Sequence, residues 1–187
     1  MNRTAFIASA AMATMLLACT PPGGREGGNA ADDAAPAITK RIVNLDANGI
    51  SIPPQDGDAE LVVPFGSLRA ATEDTLSAAL GSIKDRQANG DCPAGAISST
   101  RYEGIMLNFQ KDKFVGWYAD GGDYLPTPSR AELTGDRDDV LPVEKSTLGA
   151  EYVIGTDAAG TISLLFADGT DSAKPTAMWA GVNCIFR

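Results

Sequence analysis

The chain has 187 residues, of which 24 are acidic and 15 are basic, and its net charge at pH 7 is −9. This acidic balance argues against nucleic-acid binding, because phosphates need compensating lysines and arginines. The sequence contains no histidine, which excludes Ser/His/Asp and Cys/His catalytic arrangements.

The first eighteen residues predict a secretory signal peptide. Arg3 supplies a cationic head, and an apolar run of about a dozen residues follows, too short for a membrane span of roughly 20. The run ends on Ala18, directly before Cys19, and this ending resembles the lipobox of bacterial lipoproteins. Residues 1–18 are then removed and Cys19 is acylated. A plain signal peptide with an incidental cysteine is the alternative.

The mature chain is expected to be a membrane-anchored protein of the cell envelope. Loss of Arg3 leaves 14 basic against 24 acidic residues, a net charge of −10. Attachment to a bilayer must therefore come from acyl chains on Cys19 and not from a basic face. Thr20 follows Cys19, at a position where some lipoproteins have Asp. By resemblance to sorted lipoproteins, the absence of Asp here predicts that the protein is anchored in the outer membrane and faces the periplasm. The expected partners are this membrane and an envelope protein.

Residues 19–40 predict a disordered tether, because Pro, Gly, Ala and Asp dominate and large apolar side chains are scarce. A flexible coil of this length reaches roughly 25 Å. The folded part is then residues 41–187, the size of one ordinary domain.

Cys92 and Cys184 remain as an even pair once Cys19 is lipidated, and an exported chain with two such cysteines predicts a disulfide. Closing a loop of about ninety residues would restrict the unfolded state by roughly 4 to 5 kcal/mol. Two separate buried thiols are the alternative. A metal site is not expected, because two distant cysteines supply only half of a tetrahedral zinc site.

The pattern of apolar and turn residues predicts small helices packed on an antiparallel sheet, an α+β fold. Strands are expected at 42–45, 49–52, 61–65, 104–109, 114–119, 140–144, 151–154, 160–166 and 175–181. One helix is predicted to begin at Thr72 and to end near Gly81, and a short second helix begins at Ser129 with Glu132 at capping-box spacing.

A faint duplication divides the domain into halves of about 41–120 and 121–187. Residues 104–109 and 160–166 each lead through a polar turn, at 110–113 and 167–174, into a returning strand that contains a tryptophan. Each half would be a helix followed by a hairpin. Chance resemblance between two ordinary hairpins is the alternative.

No catalytic, cofactor-binding or metal-binding residue is predicted. Ser67 lacks the second glycine of a nucleophile elbow and fits a turn, and residues 155–160 lack the glycine spacing of a nucleotide loop and fit a hairpin. Neither acidic cluster, 56–60 nor 136–139, meets the spacing of an EF-hand calcium loop. The acidic segments 120–123 and 168–171 fit turns about as well as they fit a calcium site, and calcium binding stays an alternative there. A catalytic pair of carboxylates stays open, since 24 acids always offer pairs.

Aromatic side chains could line a ligand groove or fill a core, and alternating strand polarity favours the core. They are Phe114, Trp117, Tyr118, Trp179 and Phe186.

Five segments carry a family resemblance that spans most of the folded part: 64–67, 108–109, 114–117, 145–149 and 179–187. They resemble a group of short Gram-negative lipoproteins of unknown function, often labelled aspartate-semialdehyde dehydrogenase. True dehydrogenases of that name have a dinucleotide-binding fold, a catalytic cysteine and a catalytic histidine. This chain has no G-x-G-x-x-G motif after a first strand and no histidine, so the resemblance carries over no catalytic residue.

These observations predict a non-catalytic, lipid-anchored lipoprotein that acts as a binding or envelope-maintenance module. Two alternatives come from other functional classes. One is an enzyme, either an acid-only hydrolase or the dehydrogenase of the family label. The other is an inhibitor-like protein or an assembly partner.

Overall fold

A computed structural model of the chain describes residues 41–55, 57–135, 137–156 and 160–186. The predicted signal peptide, Cys19 and the predicted tether lie outside these residues, as do Asp56, Asp136, residues 157–159 and Arg187. Within the described ranges, strands dominate over helices and all strand pairs are antiparallel. The fold is therefore sheet-dominated α+β.

The smaller of two sheets contains three strands in the order β1-β2-β3. They are β1 (Asn44–Asp46), β2 (Gly49–Ile52) and β3 (Leu61–Pro64). The side chains of Ile50, Ile52 and Val63 enter the core cluster, so this sheet contributes to the same core as the larger one.

The larger sheet is built from two consecutive four-stranded meanders. The first contains β4 (Asp85–Asn89), β5 (Ile97–Arg101), β6 (Ile105–Gln110) and β7 (Lys113–Ala119). The second contains β8 (Val140–Pro142), β9 (Glu151–Thr156), β10 (Gly160–Phe166) and β11 (Pro175–Gly181). The strand order is β4-β5-β6-β7-β11-β10-β9-β8. The last strands of the two meanders thus pair at the centre, and β4 and β8 form the edges.

Two α-helices precede the meanders. Helix α1 covers Arg69–Leu80 and ends at Gly81, whose φ of 87° is favourable only for glycine. Helix α2 covers Arg130–Thr134, and a 3₁₀ turn, η1, covers Gly122–Tyr124. No helix of the described ranges is long and apolar enough to cross a membrane.

Both predicted hairpins are confirmed. The β6–β7 turn is the tight pair Lys111 and Asp112, both with positive φ, as a two-residue hairpin turn requires. Strands β9 and β10 also pair antiparallel, with Thr156 opposite Gly160. The predicted capping box at α2 is confirmed as well, because the Glu132 carboxylate accepts hydrogen bonds from the Ser129 backbone and hydroxyl at 2.7 Å.

The predicted start of α1 at Thr72 is wrong. The helix begins one turn earlier, because the Arg69 N–H donates to the Asp112 carbonyl 2.8 Å away, a partner supplied by the β6–β7 turn. Thr72 is instead fully buried inside the helix. Strand β1 begins two residues later than predicted and β8 ends two residues earlier. Strands β4 and β5 were not predicted at all.

The larger sheet has one face turned to the core. Alternation along β7 sends Trp117 to this inner face and Tyr118 to the opposite, outer face. The buried core cluster joins these inner-face residues and α1 side chains to the buried residues of the smaller sheet named above. The members outside the smaller sheet include Leu76, Ala79, Leu80, Tyr102, Ile105, Leu107, Phe109, Phe114, Trp117, Ala119, Leu164, Phe166, Met178 and Ala180. Trp117 also donates its Nε1–H to the Asp46 carbonyl at 2.8 Å, so β1 is tied to the centre of the larger sheet.

A charged network links α1 to the inner side of β4 and β5. The Glu73 carboxylate accepts from Arg69 Nε at 2.9 Å, Thr100 Oγ1 at 2.5 Å and Arg86 Nη2 at 2.7 Å. Arg69 also donates to the Ser98 hydroxyl at 3.0 Å. Burial raises the pKa of Glu73, but the hydrogen bonds from Arg86, Thr100 and Arg69 outweigh it and lower the pKa from 4.5 to about 2. The ionised form of Glu73 is therefore favoured in the folded state.

We predict that Glu73→Gln weakens the acid sensitivity of folding. A lowered folded-state pKa contributes stability that is full above pH 4.5 and is lost as the pH falls towards 2. The variant is less stable at neutral pH, and its free energy of unfolding falls less steeply across this window. Denaturant titrations at several pH values measure both effects. Asp74→Asn, an exposed position on the same helix, serves as the control, and an unchanged slope in Glu73→Gln would contradict the prediction.

Candidate binding site on the outer face of the sheet

A row of side chains crosses the outer face perpendicular to the strands. Successive cross-strand partners place Asp85 beside Arg101, Arg101 beside Met106, Met106 beside Tyr118 and Tyr118 beside Trp179. Directly opposite residues in antiparallel strands project to the same face. The row therefore changes from charged at β4 and β5 to apolar at β6, β7 and β11.

The apolar end of the row opens into a pocket of about 320 Å³. None of the lining residues is Asp, Glu, Lys or Arg: Met106, Tyr118, Leu148, Leu165, Trp179, Asn183, Cys184, Ile185 and Phe186. This apolar pocket has the size and lining expected of a small-molecule site, where apolar walls carry a few polar groups.

Two stacked aromatic rings lie side by side in the apolar pocket. The ring centroids of Tyr118 and Trp179 are 6.0 Å apart, and their planes differ by 23°. Burial, assisted by the nearby Asp120, raises the pKa of Tyr118 above its ordinary value, so its hydroxyl stays neutral at physiological pH. The stack thus places two uncharged aromatic side chains in the wall of the apolar pocket.

The C-terminal segment, Val182–Phe186, lines one side of the apolar pocket. Gly181 turns the chain with a φ of 68°, and the Val182 N–H donates to the Val115 carbonyl at 2.8 Å. Asn108 of β6 donates to the Asn183 amide oxygen at 2.7 Å. The first meander therefore holds in place a segment that follows the second.

The same geometry explains two glycines in β7 and β11. Gly116 and Gly181 are direct partners, and a Cβ atom at Gly116 would lie 2.3 Å from the Val182 carbonyl oxygen. A Cβ atom at Gly181 would lie 2.3 Å from the Val115 carbonyl oxygen. Only glycine at both positions allows the C-terminal segment to approach this closely.

Cys184 and Cys92 are free thiols that lie close to each other. Cys92 is buried and Cys184 is half-buried. Burial first, and then hydrogen bonding and charge interaction with Cys92, raise the pKa of Cys184 to about 11. Asn89 also donates to the Cys184 sulfur at 3.2 Å. The predicted disulfide stays a prediction, and the contact between the two side chains is compatible with it.

The prediction for the aromatic residues is correct for three of the five. Phe114 and Trp117 are fully buried, and Trp179 is buried as well, although one side of it also lines the apolar pocket. Tyr118 and Phe186 instead line the apolar pocket without being buried, and Phe186 is 62% exposed. Alternation along β7 contained this signal, because adjacent residues of a strand cannot face the same side.

The other sequence-predicted positions lie in turns or ion pairs. The Ser67 hydroxyl donates to the Pro64 carbonyl at 2.7 Å, and the Asp168 carboxylate accepts from the Thr170 backbone N–H at 2.8 Å, so both turn predictions are confirmed. Asp139 pairs with Arg137 at 2.6 Å. No group of three possible metal ligands occurs among the residues that the structure describes.

The described carboxyl groups whose pKa departs from its ordinary value are all shifted downward. They are Glu73, Glu132, Asp139 and Asp168. A general acid near neutral pH needs the opposite shift. The apolar pocket itself is lined by no carboxyl group.

Comparison with protein-family models, curated proteins and solved structures found no match to this chain. The site is therefore interpreted from its own geometry.

We predict that Cys92 and Cys184 form a disulfide in protein purified without reductant. Alkylation after unfolding in denaturant without reductant should then modify neither residue, and Cys92→Ser should make Cys184 reactive under the same conditions. Reduction should lower the free energy of unfolding by roughly 4 to 5 kcal/mol. Modification of both cysteines in the unreduced protein would contradict the prediction.

In the reduced protein, the rate at which Cys184 is alkylated should depend on pH. Because the Cys184 thiol has a pKa of about 11 and only the thiolate reacts, its alkylation should be slow at neutral pH. The rate should rise about tenfold per pH unit below that pKa. Fast alkylation at neutral pH would contradict the raised pKa.

Proposed function

We propose that this chain is a non-catalytic, lipid-anchored lipoprotein of the outer membrane that faces the periplasm and acts as a binding module. The apolar pocket is the observation that supports the binding role. It is uncharged, it contains the Tyr118–Trp179 stack, and its volume of about 320 Å³ suits a small apolar group. The anchor rests on the sequence that ends at Cys19.

A nucleophilic role for Cys184 is less compatible with its surroundings. A catalytic cysteine is activated by a lowered pKa or a neighbouring base. The raised pKa of Cys184, at about 11, acts in the opposite direction. This supports a binding function over the dehydrogenase of the family label.

We also propose that the domain arose as two repeated halves, each a small helix packed on an antiparallel sheet. The order β4-β5-β6-β7-β11-β10-β9-β8 supports this proposal, because it reads as two meanders that meet at their last strands. One helix precedes each meander, α1 before the first and α2 before the second.

The anchor is tested by growing cells in labelled palmitate. The wild-type chain should become labelled, and Cys19→Ala should not, because the acyl chains have no other attachment point in this proposal. Cys92→Ala is the matched control and should keep the label. Equal labelling of the wild type and Cys19→Ala would overturn the anchor.

The binding role is tested with N-phenyl-1-naphthylamine, an uncharged dye that brightens in apolar surroundings. The purified chain should bind it, and Leu148→Asp should weaken binding by at least about tenfold, because a charge on the pocket wall must be desolvated. Leu141→Asp is the matched control, since Leu141 is 54% exposed on β8 and does not line the pocket. Equal binding by both variants would overturn the role of the pocket.

A further inference from the structure

A polar recess borders the apolar pocket on the outer face. Its volume is about 330 Å³, and it is lined by Asp85, Gln87, Ser99, Arg101 and Met106. Met106 also lines the apolar pocket. The two cavities therefore meet at one side chain and follow the same row across the sheet.

The row fixes the length of a molecule that could occupy both cavities. Asp85, Arg101, Met106, Tyr118 and Trp179 lie on five neighbouring strands. Strands in a sheet are spaced by roughly 4.8 Å, so the row extends about 19 Å from its polar end to its apolar end. A ligand that spans it must be elongated and must differ in polarity between its two ends.

The charges of the polar recess are already engaged within the protein. Arg101 donates to Asp120 at 2.6 Å. The Asp85 carboxylate accepts from the Arg86 backbone N–H and from Gln87 Nε2, both at 2.7 Å. A free anion would face two acidic groups beside a single arginine that is already paired, and a cation would compete with the arginine for its partner.

Hydrogen-bonding capacity nevertheless remains in the polar recess. The guanidinium of Arg101 carries five N–H donors, and Ser99 offers a hydroxyl that can donate and accept. An uncharged head group with several hydroxyls can use these groups without disrupting the ion pair.

We propose that the apolar pocket and the polar recess form one site for an elongated amphiphile, whose apolar chain lies against the Tyr118–Trp179 stack and whose uncharged polyhydroxyl head binds at Arg101 and Ser99. This inference rests on the proposed binding function and names the class of ligand. The neutral lining of the apolar pocket and the internally paired charges of the polar recess support this assignment.

The proposal is tested by displacing N-phenyl-1-naphthylamine from the purified chain with three amphiphiles of equal chain length, all below their micelle concentrations. The probes are octyl glucoside, nonanoate and octyltrimethylammonium. Octyl glucoside should displace the dye at the lowest concentration, and each further methylene in the glucoside should tighten binding about fourfold. Equal or better displacement by either charged amphiphile would overturn the proposed head group.

Substitutions at two arginines distinguish binding of the ligand's head group from binding of its apolar chain. Arg101→Gln should weaken the binding of octyl glucoside about tenfold relative to that of the dye, because a charge-assisted hydrogen bond to the head group is lost. Arg137→Gln removes a comparable surface ion pair outside both cavities and should change neither affinity. Equal effects of the two variants on octyl glucoside would overturn the assignment of the head to Arg101.

The dye distinguishes failure of this inference from failure of the proposed function. If the dye binds in a Leu148-dependent manner and the head group has no effect, the amphiphile is wrong and the binding function stands. If the dye does not bind in that manner, both are wrong.

Discussion

The pairing of β7 with β11 is the contact on which the rest of the larger sheet depends. It joins two meanders that otherwise pair only within themselves. The pairing sets Tyr118 opposite Trp179 on the outer face and Trp117 opposite Ala180 on the inner face. It also requires glycine at 116 and 181, where a Cβ atom would collide with backbone carbonyl oxygens of the opposite chain segment. Two small residues thus allow one core and one pocket to form on opposite sides of the same strands.

Much of the fold could be predicted from the sequence, and the missed part has a physical cause. Segments with alternating apolar residues, such as β6 and β10, have the period of a half-buried strand. Strands β4 and β5 lack it, because their inner-facing residues include Arg86, Ser98 and Thr100 of the Glu73 network. Their outer-facing residues line the polar recess. Both faces are therefore polar, and no sequence period remains to be detected.

The candidate site was less accessible to sequence reasoning than the fold. The sequence pattern favours the core for Tyr118 and Trp179, but the apolar pocket that they line depends on the β7–β11 register and on a C-terminal segment held by Asn108. Both depend on contacts between residues that are far apart in the sequence, 61 positions for Tyr118 and Trp179 and 75 for Asn108 and Asn183, which local patterns do not encode. Cys92 and Cys184 were paired by counting cysteines, and the structure places their side chains in contact.

The edges of the larger sheet bear on how this protein behaves in a concentrated solution. Strand β4 is exposed along its whole length and carries Asp85 and Arg86, and β8 has only three residues and ends in Pro142, whose nitrogen has no hydrogen to donate. A neighbouring molecule that tried to extend the sheet would meet exposed charged side chains at one margin and a missing donor at the other. Intermolecular β-sheet growth is thereby disfavoured at both margins, and self-association by strand addition is suppressed.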